Sequence, residues 1–94
     1  MAIQSYRCSD TQRLRTTGGS QGFGSIAKVA LRKLDMLNAA IRLESLTIPP
    51  GNRLEVLAGD RAGQHSIRIN RQWRLCFVWT VAGPGDVEIV DYHG

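Results

Sequence analysis

The sequence predicts an α+β domain, in which an antiparallel-rich sheet carries its helices on one side. Two patterns and the chain length lead to this prediction. One amphipathic helical pattern precedes a meander of short strand-like segments. The 94 residues leave room for one helix layer on one sheet, but not for a separate cofactor domain. We therefore expect a single domain over residues 1–94.

The first half of the chain predicts one short strand and one long helix. Alternation over residues 2–7 favours a strand, residues 11–15 favour a helical turn, and the glycine-rich stretch 16–22 favours a flexible loop. From the predicted N-cap Ser25 to about Leu43, apolar residues recur every three or four positions. This periodicity is typical of a helix that packs its apolar face on a sheet.

The second half of the chain predicts four strands. The two prolines at 49 and 50 exclude both a helix and a central strand at that point, because they lack N–H donors. We expect strands at residues 54–57, 65–70, 73–80 and 87–92, separated by turns at 59–63, 70–72 and 81–85.

Alternation along these strands separates an apolar face from a charged face. The odd positions from Trp73 to Trp79 are apolar, so the even neighbour Arg74 points away from them. In the preceding strand the two isoleucines share one face and Arg68 takes the other. Arg68 and Arg74 are therefore expected to project from the same uncovered face of the sheet.

The cationic residues are mostly arginine. Ten of the twelve are arginine, and the formal net charge is +4. Because the planar guanidinium binds phosphate and carboxylate groups through two parallel hydrogen bonds, this composition favours a phosphate-rich or acidic partner. A general arginine bias that serves solubility alone is the alternative.

Several classes of function lack their motifs in this sequence. Cys8 and Cys76 read as isolated thiols of a reducing compartment, and the two cysteines and two histidines have no metal-ligand spacing. No glycine-rich phosphate loop or nucleophile turn follows a strand. We therefore predict no cofactor and no metal. Without a leader-like start or a long apolar run, the expected location is the cytoplasm, with no membrane association.

The tripeptide Asp91-Tyr92-His93 follows the last apolar strand pattern. A terminal histidine is more often part of a frayed tail than of a site. Cleaving RNA without a metal, however, requires a base, an acid and a cation on the phosphate, and the uncovered face together with this tripeptide could supply all three. The candidate RNA-contacting arginines are Arg53, Arg61, Arg68 and Arg74.

Four segments resemble the HigB toxins of the RelE superfamily. They are PPGNRLEVL (49–57), GDRAGQHSIRIN (59–70), QWRLCF (72–77) and VEIVDYH (87–93), and the helical segment 29–40 adds a weaker likeness. The resemblance implies a RelE-like fold and a type II toxin, also called a plasmid maintenance or host-inhibition killer protein. Such a toxin inhibits translation by cleaving mRNA on the ribosome without a metal. A helix-turn-helix, HigA-like antitoxin is its implied partner, so contact with DNA is expected only through that complex.

The resemblance also implies roles for individual residues. His93 would be an acid–base group and Arg74 the phosphate clamp, while Asp91 and Tyr92 would orient them or contact RNA. Glu55 falls on the strand before the Gly-Asp-Arg turn, where the family carries charged or polar residues. The resemblance leaves open whether Glu55 or His93 takes the proton.

Two departures from the family pattern favour weaker activity. Ala58 stands where many relatives carry lysine, and the 16–22 loop has glycines where many carry basic residues. Each change removes a possible phosphate contact. The alternatives are therefore a toxin of reduced activity or a non-catalytic module of the same fold that binds RNA or the antitoxin. A DNA-binding domain is disfavoured, since no basic helix-turn-helix pattern is present.

Overall fold

The computed structural model describes residues 1–19 and 22–91, and in them two α-helices pack on one side of a four-stranded antiparallel sheet. The helices are α1 (Ser9–Thr17) and α2 (Ala27–Ala39), and the strands are β1 (Glu55–Val56), β2 (His65–Arg68), β3 (Trp73–Thr80) and β4 (Gly83–Asp91). The strands lie in the order β1-β2-β3-β4, each antiparallel to its neighbour. The predicted α+β class, with helices on one side, is confirmed.

The hydrophobic core lies between the helices and one face of the sheet. Ile67 pairs with Leu75, and Leu75 pairs with Ile89, so the three side chains form one row on that face. The predicted apolar stripe of β3 is confirmed, because Leu75 and Phe77 are fully buried and the two tryptophans pack against the core. The helices contribute Leu14, Ala30, Leu34 and Leu37 to this core.

The long helix is shorter than the sequence predicts. A 3-10 turn, Gly24–Ile26, precedes α2, and Ser25 lies inside that turn, so the predicted Ser25 N-cap is wrong. N–H groups at the start of the helix donate instead to main-chain carbonyls three residues earlier, as the Ala27 N–H does to the Gly24 carbonyl. At the other end, Ala40 adopts an extended conformation, which ends the helix before the predicted Leu43.

The outer edge of β4 is covered by the N-terminal part of the chain. Residues 4–7 exchange main-chain hydrogen bonds with residues 84–87, but they form only one isolated parallel bridge rather than the predicted strand at 2–7. The next edge N–H, that of Ile89, donates to the buried Thr11 Oγ1 at the start of α1. This cover protects the edge from pairing with other chains.

The last hairpin has a tighter turn than the predicted loop at 81–85. The turn consists of residues 81–82, and β4 already begins at Gly83. Gly83 has a φ of +134°, and a Cβ there would lie 2.5 Å from the carbonyl oxygen of Ala2. The close N-terminal segment therefore requires glycine at this position. The Gly-Pro-Gly sequence, which alone predicts a loop, is part of strand β4.

Candidate functional site

The face of the sheet turned away from the helices carries polar side chains. The strand register places Glu55, Ser66, Cys76 and Glu88 in one row across the four strands, and Arg74 lies on the same face in the next row. We call this surface the open face. Ser66 and Cys76 are fully buried, and Arg74 is only 8% exposed. Polar groups are thus enclosed on a face that neither α1 nor α2 covers.

One arginine side chain reaches across the open face. Arg61 lies in the turn between β1 and β2, and its Nη1 donates to Gln64 Oε1 and to Glu88 Oε1, each at 3.1 Å. Because Glu88 is on β4, the side chain spans β2 and β3. Burial raises the pKa of the Cys76 thiol on this face, although the nearby Arg61 guanidinium offsets part of the effect.

The Arg74 guanidinium is held in place by several acceptors. Its Nε donates to Ser66 Oγ at 2.7 Å, and its Nη2 donates to the carbonyl oxygens of Arg53 at 2.7 Å and Ser66 at 3.4 Å. The half-exposed Glu55 carboxylate lies 3.9 Å from Nη2. Among the described residues, none accepts a hydrogen bond from Nη1. The guanidinium is therefore fixed through Nε and Nη2, and within residues 1–19 and 22–91 its Nη1 is left for an anion.

The backbone carbonyl that anchors Arg74 comes from a residue with positive φ. Arg53 has a φ of 45°, a left-handed conformation uncommon for residues other than glycine. It follows the fully buried Asn52, whose Nδ2 donates to the Leu46 carbonyl at 3.1 Å and whose Oδ1 accepts from Lys33 Nζ at 2.6 Å. Asn52 thus ties the turn that presents the Arg53 carbonyl to the helix layer.

Arg68 and Arg74 lie directly opposite each other on β2 and β3, which confirms that they share the open face. The neighbouring Ile69 N–H bonds to the Trp73 carbonyl, so the two arginines form a pair without mutual main-chain hydrogen bonds, where side chains come closest. Like charges in this position destabilise a sheet unless an anion lies between them. In the described ranges, Glu55 is the one acid within 4.0 Å of Arg74.

The predicted residues at the chain end are only partly described. Asp91 ends β4 opposite Trp73, so it alternates onto the other side of the sheet from Arg74, and its Oδ2 accepts a hydrogen bond from Gln72 Nε2 at 3.0 Å. Tyr92 and His93 lie outside the described residues. The structure thus brings together Arg74, Glu55, Arg68 and the Arg53 backbone, with Asp91 at the end of the sheet.

Two further observations concern histidine and metal sites. His65 is half-buried and stacks on Phe77, with ring centroids 6.1 Å apart. Over residues 1–19 and 22–91, no group of three or more His, Cys, Asp or Glu side chains is close enough to hold a metal ion. In the same ranges no helix is sufficiently long and apolar to span a membrane.

Two residues that hold Arg74 in place were missed by sequence reasoning. Asn52 follows a proline and a glycine, where asparagine is read as an ordinary turn residue. Ser66 occupies a polar position of an alternating strand, which is typical of a solvent-facing side chain. Only the pairing of β2 with β3 makes its role visible, because Arg74 lies eight residues further along the chain.

Comparison with known proteins gives the class of the chain and then its family. The family model described as "RelE-like toxin of type II toxin-antitoxin system HigB" matches residues 8–93. The class is therefore that of the RelE-like toxins. This chain belongs to the HigB-like toxin family, as its resemblance in sequence predicts.

Two curated proteins illustrate the similarity. Toxin HigB-1 of Vibrio cholerae serotype O1 is 51% identical over 55 residues, which are 58% of this chain and 58% of that protein. An uncharacterized protein of Haemophilus influenzae is 42% identical over 53 residues, or 56% of this chain and 52% of that protein. The chain thus spans little more than half the length of the curated relatives that it matches.

Proposed function

We propose that this chain is the toxin of a type II toxin–antitoxin system and inhibits translation as an endoribonuclease that cuts mRNA on the ribosome. The observation that carries this proposal is the fixed Arg74 guanidinium on the open face, with Arg68 opposite it and Glu55 beside it. Two cations can bind the phosphate of an RNA backbone, and a carboxylate beside them can transfer a proton while that phosphodiester is cleaved. Membership of the HigB-like family supports the same function.

The proposed reaction proceeds without a metal. A base takes the proton of the RNA 2′-hydroxyl, whose oxygen then attacks the adjacent phosphorus. The bond from phosphorus to the 5′-oxygen breaks, and an acid protonates that oxygen as it leaves. The products are a 2′,3′-cyclic phosphate and a 5′-hydroxyl. Charge that develops on the non-bridging oxygens is stabilised by Arg74 through Nη1, since Nε and Nη2 already have protein acceptors.

Glu55 and His93 are the proposed proton-transfer groups. The Glu55 carboxylate is half-exposed and ion-paired at 3.9 Å with Arg74, so it can reach both solvent and a phosphate bound there. His93 is proposed on the family resemblance, together with Asp91 and Tyr92 as orienting or RNA-contacting neighbours. Single substitutions of Glu55 and His93 should each remove one limb of the pH–rate profile, which assigns the base and the acid.

Three arginines are proposed to bind the RNA backbone. Arg53 is exposed, and Arg68 is partly exposed on the open face. Arg61 must exchange its contact with Glu88 for a phosphate, so it contributes less. Each phosphate contact that is made should steepen the loss of affinity with added salt.

The proposed partners follow from the toxin role. A helix-turn-helix, HigA-like antitoxin neutralises the chain, and DNA is contacted only through that complex. The site of action is the cytoplasm, where translating ribosomes are found. Co-expression with the cognate antitoxin should restore growth and give a complex that co-purifies; persistent growth arrest at an equal toxin level would contradict neutralisation.

Induced expression tests the nuclease function in cells. The wild-type chain should arrest growth and leave cleaved transcripts, while His93→Ala, accumulated to the same level, should do neither. Arrest of growth with an intact transcript pool would contradict the proposed nuclease activity.

The chemistry of the RNA ends tests the metal-free reaction. The downstream fragment should carry a 5′-hydroxyl, which accepts phosphate from a polynucleotide kinase without prior dephosphorylation. A 5′-phosphate on the freshly cut fragment would contradict attack by the 2′-hydroxyl.

A non-catalytic module of the same fold is the second candidate, and Ala58 is the observation that favours it. Ala58 is exposed at the start of the turn that carries Arg61, so this edge of the site lacks the lysine that the family resemblance leads one to expect there. Such a module would bind ribosomes or antitoxin and leave mRNA intact. Ribosome-dependent cuts that disappear in Arg74→Ala would rule this candidate out.

A further inference from the structure

We propose that Ser66 is a positioning residue, which holds the Arg74 guanidinium in the orientation that presents Nη1 to the RNA phosphate. This role rests on the proposed function, because it assigns to Ser66 a part in the same reaction. Ser66 itself does not touch the RNA; it acts through Arg74. It sits in the middle of the open face, between Glu55 on β1 and Cys76 on β3.

Ser66 provides two of the three hydrogen-bond acceptors that hold the guanidinium among the described residues. Its Oγ accepts from Nε at 2.7 Å, and its carbonyl oxygen accepts from Nη2 at 3.4 Å. The Arg53 carbonyl is the third acceptor, also bound to Nη2, at 2.7 Å. Nε and Nη2 form one edge of the planar guanidinium, so binding that edge fixes the plane of the group and turns Nη1 away from these three acceptors.

The burial of this contact explains why a hydroxyl is needed. Ser66 is fully buried and Arg74 is 8% exposed, so water cannot easily replace a lost acceptor. A buried charged group without its hydrogen bonds is costly, and the side chain would move to recover them. A displacement of about 1 Å in a catalytic group can reduce a rate by about 10²-fold. Loss of the hydroxyl should therefore slow cleavage more than it weakens RNA binding.

The neighbouring Cys76 offers a matched control. It is the register partner of Ser66, lies on the same face and is also fully buried. Ser66→Ala and Cys76→Ala each remove one atom from the same row, but only the first removes an acceptor of Arg74. A loss that came from general loosening of the open face would affect both variants alike.

Single-turnover cleavage on translating ribosomes measures the effect. Ser66→Ala should lower the rate at saturating toxin by about ten- to hundred-fold and leave the half-saturating concentration within about two-fold. Cys76→Ala should keep both within about two-fold. A wild-type rate for Ser66→Ala, or equal losses in both variants, would overturn the positioning role.

A pair of isosteric substitutions isolates the hydroxyl. Ser66→Thr and Ser66→Val add equal bulk to the buried site, and only threonine keeps an acceptor for Nε. Thr should therefore cleave at least about five-fold faster than Val at matched folded fractions, the difference being set by the geometric cost of a misplaced group. Equal rates for the two variants would contradict the role of the hydroxyl.

A measurement without RNA separates this inference from the proposed function. The Nε–H proton of Arg74 should give an NMR signal that exchanges slowly with water, is assigned by its loss in Arg74→Lys, and disappears or exchanges rapidly in Ser66→Ala. An unchanged signal in Ser66→Ala overturns the inference even if the wild type cleaves mRNA. If the signal depends on Ser66 but the wild type does not cleave, the proposed function fails and the orientation of Arg74 by Ser66 stands.

Discussion

Both faces of the sheet contain buried side chains, but the two faces enclose them by different means. On the helix-covered face, Leu75 lies in an apolar row beneath α1 and α2. One pleat away on the open face, Ser66, Arg74 and Cys76 are enclosed almost as completely, but by arginine contacts and a backbone carbonyl. The first face excludes water through apolar packing. The second keeps a charge out of water only because acceptors surround it.

This difference separates the source of stability from the source of the proposed chemistry. Apolar burial is non-directional, so the helix-covered face tolerates small shifts at an energetic cost alone. Hydrogen bonds to a buried guanidinium fix direction as well as position. Substitutions on the covered face should therefore change mainly the free energy of unfolding, and those that remove or release the Arg74 guanidinium on the open face should change mainly the rate of cleavage.

The largest expected effect is that of Arg74→Ala on the cleavage rate. Removing the guanidinium should lower the single-turnover rate by about 10³-fold, since a cation that stabilises developing phosphate charge commonly contributes this much. Arg42→Ala, an exposed arginine beyond α2, serves as the control and should keep the wild-type rate. A loss of less than about five-fold in Arg74→Ala would contradict a catalytic role for the open face.

Leu75→Ala should destabilise the helix-covered face without altering the proposed site. The substitution leaves a cavity in a fully buried apolar row, so urea denaturation should show a loss of about 2–5 kcal/mol in the free energy of unfolding. The folded fraction should cleave mRNA at a rate within about three-fold of the wild type. A rate loss as large as that of Arg74→Ala, at full folding, would mean that the two faces are not separable.

Asn52→Ala should produce a smaller effect on both properties. The buried Asn52 amide donates to the Leu46 carbonyl and accepts from the Lys33 ammonium. Its loss should therefore cost about 1–3 kcal/mol in unfolding free energy. Release of the adjacent Arg53 carbonyl from Arg74 should also slow cleavage. Asn38→Ala, which removes a single half-buried acceptor for the Ile3 N–H, is the control and should leave the rate unchanged. Equal rates in the two variants would show that the Asn52 turn does not support Arg74.

The smallest effect concerns the alkaline pH dependence of stability. Burial raises the pKa of the Cys76 thiol above its usual 9.0, so above pH 9.0 the unfolded chain releases a proton that the folded chain keeps. The difference in unfolding free energy between wild type and Cys76→Ala should keep its full value below pH 9.0. Above pH 9.0 it should decrease, by at most about 1.4 kcal/mol per pH unit. Tyr6 and Lys33 titrate in both proteins, so their effects cancel. A difference that stays constant to pH 10.5 would contradict an enclosed open face.

The sequence predicts the two faces better than it predicts how the open face is built. Period-two alternation is a local property, so the apolar stripe of β3 and the shared face of Arg68 and Arg74 follow from it. The acceptors of Arg74 do not, because they lie eight and 21 residues away along the chain and one is a backbone carbonyl without a side-chain signature. Long-range pairing of strands creates that contact.

The errors in secondary structure have a similar origin. Serine is a common N-cap residue, but Ser25 lies inside a 3-10 turn whose main-chain carbonyl accepts an N–H at the start of the helix. Gly83 predicts a loop, yet the N-terminal segment packs so closely that glycine is needed within a strand. In both places tertiary or backbone geometry overrides the local preference of the residue. The proposed roles of Tyr92 and His93 stay predictions from family resemblance.

Mapping of cut sites on translated and untranslated copies of one mRNA tests the central claim most directly. In a purified translation system, primer extension should show cuts by the wild-type chain only when the start codon is intact, and no cuts by Arg74→Ala on either copy. Equal cutting of both copies would contradict dependence on the ribosome. An unchanged pattern of cuts with Arg74→Ala would contradict the open face as the cleavage site.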